Sequence, residues 1–127
     1  MGAAILIVDD DAINRKLLRV TLSAFGFEVT EAENGRQAVE LAIDTTPALI
    51  LMDIQMPVLN GIEALRMLKT EPAAHKIPVV ALTAYAMEGD KDKFLAEGFD
   101  AFLSKPIDID ETIETINRCI RDRLQQE

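Results

Sequence analysis

The sequence predicts an α/β fold, a doubly wound five-stranded parallel sheet with helices on both faces. Short runs of consecutive apolar residues alternate with segments of helical period along the whole chain. The runs show little polar alternation, as expected of strands covered on both sides. The connections are short, which implies parallel strands joined by right-handed crossovers. A (β/α)₈ barrel would typically need about twice the chain, and 127 residues is one domain's worth.

Each element has its own signal. Ala4-Ile5-Leu6-Ile7-Val8 is the first strand. A helix follows over residues 13–25, with Leu18, Leu22 and Phe25 facing the sheet and Gly26 as its stop. Residues 27–31 form a shorter second strand. Asn34 caps a helix that runs to Thr45, and Pro47 leads into the third strand, Ala48-Leu49-Ile50-Leu51-Met52. Asn60-Gly61 opens a helix carrying Ile62, Leu65 and Leu68, and Pro72 lies just past its end. Residues 78–82 are the fourth strand. Residues 87–97 form a helix stopped by Gly98, with Phe94 and Leu95 as its main large apolar residues. Residues 100–104 are the fifth strand. Pro106 then interrupts, and a last helix carries Ile109, Ile113, Ile116 and Ile120 in one stripe.

The ends of the strands are chemically unusual. The first runs into Asp9-Asp10-Asp11, the third into Asp53, the fourth into Thr83 and the fifth into Lys105-Pro106. In an open parallel sheet the carboxyl ends share one edge, where ligand sites form. Acids, a hydroxyl and an ammonium are thus expected to converge on the Asp53 carboxylate.

Composition narrows the function. The formal net charge of −9 argues against nucleic-acid and anionic-membrane partners. Cys119 is the single cysteine, so no intrachain disulfide or cysteine-based zinc site is available. The N-terminal sequence has neither a basic n-region nor an apolar run of spanning length. These features point to a soluble cytoplasmic protein. His75 reads as a solvated loop residue, Cys119 as a small, partly buried apolar side chain, and Asp11 as a loop or first-turn acid.

Taken together, Asp9-Asp10, Asp53, Thr83 and Lys105-Pro106 resemble the signature of bacterial response-regulator receiver domains, over essentially the whole chain. The strings Ile7-Val8-Asp9-Asp10, Leu51-Met52-Asp53-Ile54-Gln55-Met56-Pro57, Leu82-Thr83-Ala84 and Ser104-Lys105-Pro106 carry the resemblance. It implies a single receiver domain over residues 1–127, flavodoxin-like, with strand order 2-1-3-4-5. It implies that Asp53 is the phospho-acceptor and that Mg²⁺ or Mn²⁺ is bound by Asp10, Asp53 and the Gln55 backbone carbonyl, with Asp9 acting through water. The Thr83 hydroxyl, the Ala84 backbone N–H and Lys105 would hold the phosphoryl group. Thr83 and Phe102 would be the switch residues, changing the surface of helix four, strand five and helix five. Phe102 stands where the family often has tyrosine.

The expected partners are a histidine kinase or histidine phosphotransfer protein and a downstream protein target. Ile13, Asn14 and Leu17 are the expected docking residues beside the acids, and the expected state is a monomer or a weak phosphorylation-dependent dimer. The resemblance fits a stand-alone switch, a phosphate relay or sink, and a receiver domain cut from a hybrid kinase.

The chemistry is coherent without the resemblance. A carboxylate attacks an anionic phosphoryl group poorly unless cations lie between them, and Mg²⁺ typically takes only one or two protein carboxylates. Attack by Asp53 would yield an acyl phosphate, and catalysis would be mostly positioning and charge stabilisation. Two other classes compete. Haloacid-dehalogenase-like phosphatases carry a second Asp two residues after the nucleophile, where this chain has Gln55. A flavin or nucleotide binder would want a Gly-, Ser- or Thr-rich loop after the first strand, and an Asp triplet there repels phosphate without metal.

Overall fold

A computed structural model describes residues 2–56, 59–84 and 90–125. Their elements alternate as β1 (Ala4–Val8), α1 (Ala12–Ala24), β2 (Glu28–Ala32), α2 (Gly35–Thr45), β3 (Leu49–Asp53), α3 (Gly61–Thr70), β4 (Val79–Thr83), α4 (Asp90–Glu97), β5 (Ala101–Ser104) and α5 (Ile109–Gln125). The five strands form one sheet in the order β2-β1-β3-β4-β5, with every pairing parallel. The expected topology is therefore present.

The strands serve two cores at once. Leu6, Val8, Ile50, Met52 and Ala81 pack on one face against α2, α3 and Phe94 of α4. Ile5, Ile7, Leu49, Leu51, Val80 and Leu82 pack on the other against Leu18 and Leu22 of α1 and Ile116 and Cys119 of α5. Successive side chains of a strand point to opposite faces. A strand with a core on each side must therefore be apolar at every position, which accounts for the unbroken runs.

Several boundaries move by a residue for identifiable reasons. Asp11 caps α1, accepting hydrogen bonds from the backbone N–H groups of Ile13 and Asn14 at 2.8 and 3.4 Å. At the other end Gly26 adopts a φ of 91°. The Phe27 N–H then donates to the Leu22 carbonyl at 3.2 Å and the Gly26 N–H to Ser23 at 3.0 Å. This helix-terminating motif uses the Phe27 N–H, so β2 begins at Glu28 and not at Phe27. Phe25 is the cap of α1 and is exposed; of the three residues expected on the sheet, Leu18 and Leu22 are buried and Phe25 is not.

β5 starts at Ala101 because Asp100 is used as a clamp. Its carboxylate accepts the Val79 N–H at 2.8 Å, and its own N–H donates to the Val79 carbonyl at 2.9 Å. On α5, Ile116 is fully buried while Ile113 and Ile120 are partly buried. Ile109, expected in the same stripe, is exposed at the helix start. Residues 87–89, expected to begin the fourth helix, lie outside the described residues. From Asp90 onward that helix is present, and Gly98 ends it with a φ of 116°. Among the described residues no helix is long and apolar enough to cross a membrane.

Candidate functional site

The strand ends meet as the topology requires. β1 lies between β2 and β3 in the sheet, and Val8 is in register with Met52, so Asp9 emerges beside Asp53. Thr83, the last residue of β4, is in register with Ser104, one residue before Lys105. The Lys105 N–H donates to the Thr83 carbonyl at 2.8 Å, which ties the two loops together. The Lys105–Pro106 peptide is cis.

Asp9, Asp10 and Asp53 each bring a carboxylate oxygen within 4.8 Å of the others. Asp9 is wholly buried and Asp53 is 5% exposed, whereas Asp10 faces solvent. The Lys105 ammonium closes the cluster, with Nζ 3.2 Å from Asp9 Oδ2 and 3.4 Å from Asp53 Oδ2. The other oxygens are also held. Asp9 Oδ1 accepts the Asp11 N–H and Asp53 Oδ1 accepts the Gln55 N–H, at 2.9 and 3.0 Å.

Burial raises the Asp53 carboxyl above the ordinary range. The Gln55 N–H and the Lys105 ammonium pull it down and the Asp9 charge pushes it up again, leaving a net rise. Lys105 is driven the other way by burial, but the two carboxylates outweigh that and raise its pKa. The asymmetry is physical: one ammonium faces two acids, while Asp53 faces one ammonium and a second acid. The donor set suits a hard cation. Clustered carboxylate oxygens match the preference of Mg²⁺ and Mn²⁺, and the cluster contains no sulfur or imidazole that would favour a softer metal.

The loop that carries Asp53 owes its path to Gly61. The Gly61 N–H donates to the Ile54 carbonyl at 3.0 Å. A Cβ on Gly61 would stand 2.7 Å from the Asp53 carbonyl oxygen and 2.9 Å from Ile54 Cα. Only glycine allows α3 to begin this close to the site.

The remaining expected residues fall into place unevenly. Thr83 is buried at the end of β4, Ala84 is exposed just beyond it, and Gln55 is exposed beside Asp53. Phe102 is half-buried and stacks on Phe94 of α4, with ring centroids 5.5 Å apart. Ile13 and Leu17 are exposed at 78% and 66%. Asn14 and Leu17 line a groove of about 280 Å³ that runs from Asp9 and Lys105 between α1 and α5. Ile13 lies outside that groove. Its far wall, Ile107, Ile109 and Ile113, escaped the sequence reading because nothing local pairs α5 with α1. His75 is exposed and Cys119 is buried; burial pushes its thiol pKa up, away from reactivity.

Arg15 was also missed. Its guanidinium Nη1 donates to the Asp9 carbonyl at 2.7 Å. The signal would have been a basic residue in the first turn after the acids, but its partners Glu31 and Glu33 come from the end of β2.

The comparisons with known proteins agree with this geometry. The family model for the response regulator receiver domain matches residues 5–117. The polar-differentiation response regulator DivK of Brucella anthropi is 41% identical over 122 residues, covering 96% of this chain and 99% of the relative. Among solved structures, the receiver domain of a Pseudomonas aeruginosa sensor histidine kinase aligns with a TM-score of 0.87 at 34% identity, covering 94% of this chain and 98% of that one. That structure has a magnesium ion coordinated in its active-site cleft. A chemotaxis protein of Vibrio cholerae aligns with a TM-score of 0.86 at 28% identity, over 94% of this chain and 99% of that one. With a receiver-domain family model matched over residues 5–117 and a relative 41% identical over 96% of its length, the chain belongs to the response-regulator receiver-domain family of two-component signalling.

Proposed function

We propose that Asp53 accepts a phosphoryl group from a phosphohistidine of a kinase or phosphotransfer partner, with Mg²⁺ or Mn²⁺ bound at the acid cluster. The observation that carries this reading is the buried Asp53 carboxylate held between a second buried acid and the Lys105 ammonium. In the transfer an Asp53 oxygen forms a bond to phosphorus as the phosphorus–nitrogen bond breaks, and the electron pair leaves with the imidazole. Asp10 and Asp53 would hold the metal with the Gln55 carbonyl, and Asp9 would act through water. The metal supplies positive charge between the two anions.

The protein residues do the rest. Gln55 fixes the orientation of the nucleophile through its N–H. Lys105 swings from carboxylates to phosphoryl oxygens as charge moves outward. The Thr83 hydroxyl and the Ala84 N–H complete the cradle. The exposed Ile13 and Leu17, with Asn14 at the groove, would receive the partner's histidine-bearing helix. The result is a switch read at α4, β5 and α5, in which the chain promotes its own phosphorylation and dephosphorylation.

The test is incubation of wild type and Asp53→Asn with acetyl phosphate, with Mg²⁺ or with chelator, followed by intact mass. Wild type with Mg²⁺ should gain one phosphoryl group, and the other combinations none. Equal incorporation in the variant would refute the assignment.

A further inference from the structure

Arg15 lies in the first turn of α1, and its side chain is only 12% exposed. Its fork reaches three groups. Nη1 donates to the Asp9 carbonyl at 2.7 Å, Nε meets Glu31 at 3.3 Å and Nη2 faces Glu33 at 3.8 Å. Arg19 holds the other Glu31 oxygen at 3.1 Å. The charge of Arg15 is thus compensated by Glu31 of β2 and Glu33 just beyond it, and Nη1 is left for the backbone of the acid cluster.

That backbone oxygen belongs to the peptide joining Asp9 to Asp10. Asp9 itself is fixed on every other side: its N–H donates to Ala32 at 3.2 Å, and its carboxylate is held by Asp11 and Lys105. Asp10 differs. Among the described residues nothing hydrogen-bonds to its carboxylate, and it faces solvent. The fold therefore acts on that carboxylate through the direction the backbone gives the Cα–Cβ bond of Asp10. The plane of the Asp9–Asp10 peptide sets that direction, and Arg15 pins the plane.

We propose that Arg15 is a positioning residue for divalent metal, aiming Asp10 into the cluster by fixing the peptide before it. This rests on the metal-dependent reading above. The sign of the effect separates positioning from simple electrostatics. A cation close to a metal site repels the metal, so by charge alone deleting Arg15 would tighten binding. By positioning, deletion weakens it, because outer partners that orient metal ligands typically govern about tenfold or more in affinity.

The experiment is a titration with Mn²⁺, following the free ion by electron paramagnetic resonance, on wild type, Arg15→Ala, Arg15→Lys and Arg19→Ala. Arg15→Ala should bind about tenfold more weakly, equivalent to about 1.4 kcal/mol. Arg15→Lys keeps the charge but loses the planar fork, so it too should bind more weakly than wild type. Arg19→Ala shares the Glu31 partner without touching Asp9 and should match wild type. Phosphoryl uptake from acetyl phosphate should need more Mn²⁺ in Arg15→Ala yet reach the wild-type rate at saturation. Circular dichroism in chelator reports folding, and if Arg15→Ala does not fold, Arg15→Lys decides. Binding as tight as or tighter than wild type, or a lowered saturating rate with unchanged affinity, overturns the proposal. A wild type that binds no Mn²⁺ removes the metal reading and the positioning role together.

Discussion

Lys105 offers the sharpest test of how the site is held together. Among the described residues it is the ammonium set against two buried carboxylates, at 3.2 and 3.4 Å. The substitution Lys105→Met keeps most of the length and volume of the side chain and removes the charge. Each contact has a gross attraction of about 5 kcal/mol at an effective dielectric constant of about 20. Burial of the ammonium, only 20% exposed, offsets much of that. Removing one partner of a buried pair typically costs about 3–5 kcal/mol. The edge here opens to solvent at Asp10, so the lower end applies, about 3 kcal/mol. For a domain of this size that lowers the melting temperature by roughly 10 °C.

The assay is thermal unfolding of wild type and Lys105→Met, in chelator and in millimolar Mg²⁺. In chelator the variant should melt well below wild type. Mg²⁺ should raise both by mass action; at about one hundred times the dissociation constant the gain is about 2.7 kcal/mol. It should raise the variant more, because a cation no longer competes for the acids. Adding Asp9→Asn to Lys105→Met should recover part of the loss, since the buried charge left unpaired is then gone. Equal melting of wild type and Lys105→Met in chelator would refute the reasoning, as would a gap that Mg²⁺ leaves unchanged.

Three further outcomes are expected. Burial raises the Asp53 pKa, so the folded state holds that proton more tightly than the unfolded chain. The contribution is fully present below the unfolded value of about 3.9 and is lost as pH rises through the folded one. Metal-free Asp53→Asn should therefore melt above wild type at neutral pH, with the difference shrinking toward about pH 4; a variant that melts lower at neutral pH contradicts this. Gly61→Ala places a methyl 2.7 Å from the Asp53 carbonyl and should cost about 1–3 kcal/mol in denaturant titration, with slower phosphoryl uptake; unchanged values for both would show that the loop has slack. Phe94→Ala removes the large apolar side chain that α4 buries; hydrogen exchange should accelerate in α4 and β5 far more than in β1 and β3, and a uniform acceleration would deny that α4 opens on its own.

Much of the fold was legible because the central strands β1, β3 and β4 are apolar on both faces and the helices on one. Asn34, read as a cap, and Asn60, read as a helix start, both cap their helices, accepting the N–H groups of Gln37 and Glu63 at 2.9 Å in each case. The one-residue shifts at β2 and β5 came from hydrogen bonds that propensity does not encode: the Phe27 N–H closing α1, and the Asp100 clamp on Val79. The acids and Lys105 were readable because each sits at a strand end, and topology alone brings such ends together. Arg15 and the α5 wall of the groove were not readable. Both depend on which helix face meets which distant loop, information that sequence spacing within one element does not contain.

The same contrast locates where a signal can travel. β3 is buried along its length and β1 from Ile5 onward, with cores on both faces, and any movement there disturbs two packed layers. α4 is different. It spans Asp90–Glu97, its Leu95 is exposed, and Phe94 carries its packing. The Phe94 ring meets Phe99 edge-on at 6.2 Å and stacks on Phe102 at 5.5 Å. The Arg66–Glu97 pair at 3.0 Å joins α4 to α3, but it is largely exposed and of little energetic weight. Among the described residues, aromatic contacts are the main apolar hold on this corner, and Phe102 stands three residues from Lys105 on β5. Coupling energies of about 1–3 kcal/mol suffice to redistribute two states, and such an amount is comparable to one aromatic contact. Under the proposed switch, charge added at Asp53 would act on Lys105 and Thr83, which are joined by the 2.8 Å backbone bond, and the Phe102–Phe94 stack would be the element displaced.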